Sequence, residues 1–233
     1  MIDPAAGINE QQLVHWIERS LTTGTHNLSA GYQGQTLLYT ETTPHLVIKI
    51  AHGDGLLRWF HQRLLKHEFD VYRQLDDFPG VPRCYGLLDD RYLVLHKMDG
   101  HTMKQQRPQD EDAYFQLMLD YIEQMHARGV AHFDLKKKTN LLVTADDKPC
   151  LIDLGVAVIY KAGFHPLNHY LFKLAGIFDF NAWVRHKYNN QLQQISDDDR
   201  AYYQRTWIES VSYKSKRFYK DKIKRILKGQ RPR

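Results

Sequence analysis

Leu13, Trp16, Ile17 and Leu21 recur three and four positions apart, which predicts an amphipathic helix near the start of the chain with Asn9 as its N-cap. The next stretch, LSAGYQGQTLLYTETTPHLVIKIA, holds two β-prone runs flanking a Thr/Pro turn. A helical pattern runs from about Leu56 to Leu75 and is stopped by the two prolines of Phe78–Pro82. Cys84–Leu88 and Tyr92–Lys97 alternate as a hairpin, with Asp89-Asp90 near its turn. Tyr114, Met118, Tyr121, Ile122 and Met125 then mark the core-facing side of a helix over Glu111–Arg128, closed by Gly129. Leu141–Val143 and Cys150–Ile152 are short apolar runs around a turn at Asp146–Pro149. From Leu167 onward the pattern reads as helical and rich in aromatic residues. Strands first and helices later predict an α+β protein in which a small sheet-rich lobe precedes a helical one.

Composition narrows the class. Hydrophobic residues make up 42% of the 233 and charged residues 25%, the balance of a globular chain rather than a disordered one. No apolar stretch approaches the roughly 20 residues of a spanning helix. MIDPAAGINEQQ has neither a basic start nor an apolar core, so no cleaved signal peptide is expected. Cys84 and Cys150 form no CxxC pair, which argues against a disulfide scaffold or a cysteine-built zinc site and for a reducing cytosol.

The net charge of +5 conceals an asymmetry. Residues 213–233 carry ten Lys/Arg against the single acid Asp221, leaving the other 212 residues at −4. This basic tail, with Tyr219, Ile223, Ile226 and Leu227 on one helical face, points to an anionic membrane surface as a partner, or to a helix docked on the body. A body at −4 offers no basic groove, so no nucleic acid is expected.

Four polar elements follow in order. Ser29-x-Gly31-x-x-Gly34 lies between predicted strands, where glycines let backbone N–H groups approach phosphate oxygens. Lys49, in Leu46-Val47-Ile48-Lys49-Ile50, points out of an apolar strand and needs an anion, for which Glu68 on the next helix is the candidate. His132-Phe133-Asp134-Leu135-Lys136-Lys137-Lys138-Thr139-Asn140 is a polar loop after the core helix. Asp153-Leu154-Gly155 follows the last apolar run. Two carboxylates 19 residues apart, an amide and several lysines suit Mg²⁺ and polyphosphate. Taken singly, these elements also read as a glycine hairpin, a solvated strand-end lysine, a solvated loop face and an Asx turn.

Together the four resemble the protein-kinase-like fold over about Leu28 to Val158. The resemblance implies a two-lobed α+β fold, with an ATP-binding lobe over 1–97 and a truncated, mainly helical lobe over 98–233. It implies ATP and Mg²⁺ as cofactors, with Gly31 and Gly34 in the phosphate loop and Lys49 braced by Glu68 on the α/β-phosphates. Leu95 resembles the gatekeeper, and His96–Met98 the hinge against which adenine packs. Asp134 matches the catalytic Asp, Lys136 would lie near the γ-phosphate, and Asn140 and Asp153 match the metal ligands.

Several departures stand out. Ser29 replaces a glycine, Leu154 replaces the Phe of D-F-G, and Phe133 replaces the Arg of H-R-D. Asn140 follows Asp134 by six residues where the pattern has five, and no A-P-E motif follows Asp153. The short end of the chain, the DLKKKTN loop and the phrases His67–Tyr72 and Gly80–Gly86 look like the small bacterial lipopolysaccharide core (Kdo/heptose) kinases and related serine/threonine kinase-like proteins. The activity so implied is transfer of the γ-phosphate of ATP to a sugar hydroxyl of a lipopolysaccharide core intermediate, a sugar or lipid-linked acceptor. It would occur in the cytoplasm or on the inner membrane face. A protein serine/threonine kinase and a nucleotide-binding pseudokinase are the alternatives.

Overall fold

The computed structural model describes residues 8–31 and 34–205. Helix α1 (Glu10–Thr23) starts where Asn9 Oδ1 accepts the Gln12 N–H at 3.1 Å, and it ends at Gly24 in the left-handed region. Then come β1 (Asn27–Gly31), β2 (Gly34–Tyr39), β3 (Leu46–Ile50), α2 (Gly55–Gln74), β4 (Cys84–Leu88) and β5 (Tyr92–His96). The first β-prone run of the sequence is thus split at its glycines, which face each other as the last pair of the β1–β2 register. The five strands form one antiparallel sheet in the order β1-β2-β3-β5-β4. Asp89 and Asp90 both take φ 50° in the three-residue connection between β4 and β5, where the Arg91 N–H donates to the Leu88 carbonyl at 2.8 Å.

Strand alternation divides the labour of the sheet. Leu46, Ile48 and Ile50 of β3 are buried on one face, where they join Leu37, Tyr39, Tyr92 and Val94 under Leu13, Trp16 and Ile17 of α1. Val47 and Lys49 therefore point to the opposite face, over which α2 lies. There Leu65, Val71 and Tyr72 of α2 join Leu93 and Leu95 in a second core. Each fully buried side chain of this size contributes about 1.5–3 kcal/mol.

The rest of the described chain runs β6 (Gly100–Thr102), α3 (Glu111–Ala127), β7 (Val130–Ala131), β8 (Leu141–Thr144), β9 (Pro149–Leu151), β10 (Val158–Ile159) and α4 (Pro166–Lys187). Strands β6-β8-β9 form a small antiparallel sheet, and β7 pairs with β10. Gly100 is required where β6 meets β8: at φ 143°, a Cβ there would fall 2.2 Å from the Val143 carbonyl oxygen. The α3 stripe packs as its periodicity predicts, and Trp183 of α4 donates its indole N–H to the Phe115 carbonyl at 2.7 Å. No described helix is long and apolar enough to cross a membrane.

Helix from Leu167 onward holds only to Lys187. Asn189 and Asn190 adopt φ 48° and 63°, which ends α4, and 188–205 return along it as turns. Asp199 accepts from Lys187 and Tyr188, both at 2.6 Å, and Asn181 exchanges two hydrogen bonds with the Gln204 backbone. The basic tail at 213–233 and residues 32–33 of the glycine motif lie outside the described residues. The mixed α+β architecture matches the expected class.

Candidate active site

A cavity of about 870 Å³ opens between the five-stranded sheet and the β6-β8-β9 layer. Val47, Leu95 and Met98 supply apolar wall, while Lys49, Asn140 and Asp153 supply polar groups. This is the volume and lining of a small-molecule site. Leu95 is buried, Met98 follows β5, and both line the cavity.

Lys49 sits at the centre of the polar wall. Its Nζ donates to Glu68 Oε1 at 2.6 Å and to Asp153 Oδ1 at 3.1 Å. Burial alone would lower the Lys49 pKa, but the two carboxylates outweigh it and hold the ammonium above its ordinary value. Burial likewise pushes Asp153 up, and Lys49 more than reverses this, so its carboxyl is held below the usual range. Lys49 and Asp153 are thus both charged at neutral pH. Glu68 is buried and Asp153 faces the cavity. Two carboxylates around one ammonium suit a divalent cation.

Asp134 lies on the loop after β7. Its Oδ2 accepts from Lys137 Nζ at 2.5 Å and from Asn140 Nδ2 at 3.3 Å, and Asn140 Nδ2 also reaches the Asp134 carbonyl at 3.2 Å. A 3₁₀ turn, Lys138–Asn140, brings the amide back to Asp134. Lys137 lines the cavity; Lys136 is exposed and is not part of the lining. The hydrogen bond to Asp134 raises the Lys137 pKa. Lys137 was not singled out from the sequence, where it is the middle of three consecutive lysines.

The two loops are stitched together by backbone. Asn140 accepts the Ile152 N–H at 3.0 Å, and His132 Nε2 meets the Ile152 carbonyl at 3.0 Å. His67 Nε2 donates to the Ala157 carbonyl at 2.8 Å, tying α2 to the segment after Asp153. Sequence reading also missed Asp179 of α4. Fully buried, it accepts the His132 N–H at 2.7 Å, the Phe133 N–H at 2.8 Å and His126 Nε2 at 3.0 Å. Phe133 sits at φ 71°, a strained region for an aromatic residue, and its ring meets Phe178 at 5.4 Å. Gly31 and Gly34 are placed only by their backbone pairing, with Gln35 and Thr36 of β2 on the cavity.

His186 of α4 holds the loop from behind, its Nε2 donating to the Leu135 carbonyl at 2.8 Å. Burial lowers its pKa below the ordinary 6.5, and Lys138 and Arg107 push the same way. The unfolded chain then takes up a proton near pH 6.5 that the folded chain refuses, so this contribution to stability is lost as pH falls. Urea titrations at pH 7.5 and 5.5 should show a smaller loss of stability on acidification in His186→Gln than in wild type. Equal losses would remove His186 from the effect.

No protein-family model matches the chain. Curated relatives do. Serine/threonine-protein kinase C of Synechocystis sp. is 29% identical over 147 residues, 55% of this chain and 28% of its own length. CBL-interacting serine/threonine-protein kinase 26 of Arabidopsis thaliana is 28% identical over 132 residues, 52% of this chain and 30% of its own. CBL-interacting protein kinase 2 of Oryza sativa subsp. japonica is 30% identical over 129 residues, again 52% of this chain and 29% of its own. The chain is therefore similar, over about half its length, to under a third of each of these kinases. The similarity and the α+β architecture together support a kinase-like fold.

Proposed function

We propose that this chain is an ATP-dependent phosphotransferase acting on a serine or threonine hydroxyl of a protein. The observation that carries the reading is the Lys49–Glu68–Asp153 cluster on the wall of a cavity whose other side holds Asn140 and the Asp134 loop. Lys49 would hold the α/β-phosphates, braced by Glu68, with adenine between Val47, Leu95 and Met98. Gly31 and Gly34 would present backbone N–H groups to the phosphates.

Among the described residues no group of three or more His, Cys, Asp or Glu forms a metal site. Mg²⁺ asks for less: one or two carboxylates plus substrate phosphates and water. The Asp153 carboxylate and the Asn140 amide oxygen fit that set, and bound Mg²⁺ would supply charge neutralisation on the phosphates. Asp134 would orient the acceptor hydroxyl and take its proton. Lys137, and Lys136 beyond it, would place positive charge near the transferred group.

The names of the similar proteins favour a protein acceptor over the lipopolysaccharide sugar that the sequence led us to expect. Association of the basic tail with an anionic surface stays a separate expectation. Incubation with labelled ATP and Mg²⁺ should transfer label to a generic protein substrate and not to isolated lipopolysaccharide core. Lys49→Met should lose the transfer. Label on the core alone would restore the sugar acceptor, and no nucleotide binding by calorimetry would end the kinase reading.

A further inference from the structure

The first turns of α2 carry a feature that the proposed chemistry does not use. Leu56, Leu57, Trp59 and Phe60 are 86%, 55%, 57% and 52% exposed, four large apolar side chains within five residues. A helix normally turns such residues inward, and α2 does so further on with Leu65, Val71 and Tyr72. Residues 55–67 also contain Arg58, Arg63 and Lys66 but no Asp or Glu, in a chain that is net negative outside its last 21 residues.

We propose that this helix tip is an interfacial anchor for an anionic membrane surface. The arrangement along the helix axis favours a lipid surface over a partner helix. A partner helix reads an apolar stripe sustained at i, i+3, i+4 and i+7. Here Leu56, Trp59 and Phe60 lead into Arg63 and Lys66 on the same outer side, three to ten residues later. At 1.5 Å per residue, the apolar group precedes the basic group by about 10 Å. A helix entering tip first would set its apolar turn against the acyl boundary and leave Arg63 and Lys66 at the headgroup phosphates. The Arg63 guanidinium lies over the Trp59 ring, 5.4 Å from its centroid, so cation and apolar ring adjoin on this side of the helix.

The acids nearby do not cancel the patch. Asp54 holds Arg58 at 2.6 Å and Asp70 holds Lys66 at 3.3 Å, both in exposed pairs that a phosphate surface can replace. Glu68 belongs to Lys49 and is buried on the far side of the helix. The anchor and the cavity therefore use different faces of α2.

The test uses the full chain with phosphatidylcholine vesicles, with and without about 30% phosphatidylglycerol. Wild type should co-sediment with the anionic vesicles at low salt, with a blue shift of tryptophan emission, and not with neutral ones. Trp59→Ser/Phe60→Ser should bind at least tenfold more weakly and Arg63→Glu at least threefold, with thermal melts unchanged because these side chains are exposed. Absence of vesicle binding in wild type would overturn the proposal and leave the tip to a protein partner. Binding undiminished in the double variant would overturn it equally and assign the membrane contact to the basic residues of 213–233.

Discussion

Asp134→Asn should slow phosphoryl transfer by roughly 10²–10⁴, the usual weight of a positioned base, while nucleotide affinity stays within a few-fold of wild type. The two halves of the expectation come from separate parts of the site. Asp134 is held by Lys137 and Asn140 on one loop, and the cluster expected to read the phosphates is Lys49, Glu68 and Asp153. The substitution keeps the shape of the side chain and removes its charge, so the acceptor proton loses its destination and Lys137 its partner. Asp153→Ala should differ in kind: it removes an anion from the Lys49 cluster and the proposed metal oxygen, so Mg·ATP affinity and turnover should fall together. Calorimetric titration with ATP and Mg²⁺, beside single-turnover rates with labelled ATP, separates the cases. Wild-type turnover in Asp134→Asn would move the proton acceptor elsewhere.

What could be read beforehand follows from where the physical information sits. The α1 and α3 stripes and the alternation of β3 are periodic, and periodicity in the sequence is periodicity in space. Leu46, Ile48 and Ile50 are the apolar alternate positions of β3 and are buried together, so Lys49 between them points the other way. Glu68 was reachable because a lone lysine on an apolar strand demands an anion. The strands β7 and β10, two residues each, carry no pattern of their own and form because the loops around Asp134 and Asp153 bring them together. Lys137 was obscured because three consecutive lysines carry no signal for which of them the loop turns toward the cavity. The burial of α1 against the sheet was half legible: its stripe announced a partner, and nothing in the sequence named the sheet.

Asp179 was invisible for a different reason, and it carries the largest expected structural effect. Its partners are the backbone N–H groups of His132 and Phe133, which have no sequence signature, and it lies 45 residues beyond Asp134 in a helix otherwise crowded with aromatic residues. Asp179→Ala should destabilise the fold by roughly 3–5 kcal/mol, since it strands two backbone donors, each costing about 1–3 kcal/mol when buried without an acceptor, and unpairs His126. For a chain of this size that corresponds to a fall of about 6–20 °C in melting temperature. Asp179→Asn discriminates better between support and positioning. It keeps one acceptor oxygen, so most of the fold should survive, but only one of the two N–H groups stays well held. Phe133, at φ 71°, is then free to relax, and Asp134 moves with it. The expected result is a folded Asn variant with nearly normal nucleotide affinity and KM and a turnover number reduced at least tenfold. A variant that melted early yet kept its turnover would make Asp179 a support of the core alone, and the left-handed Phe133 would then have to be held by its ring against Phe178.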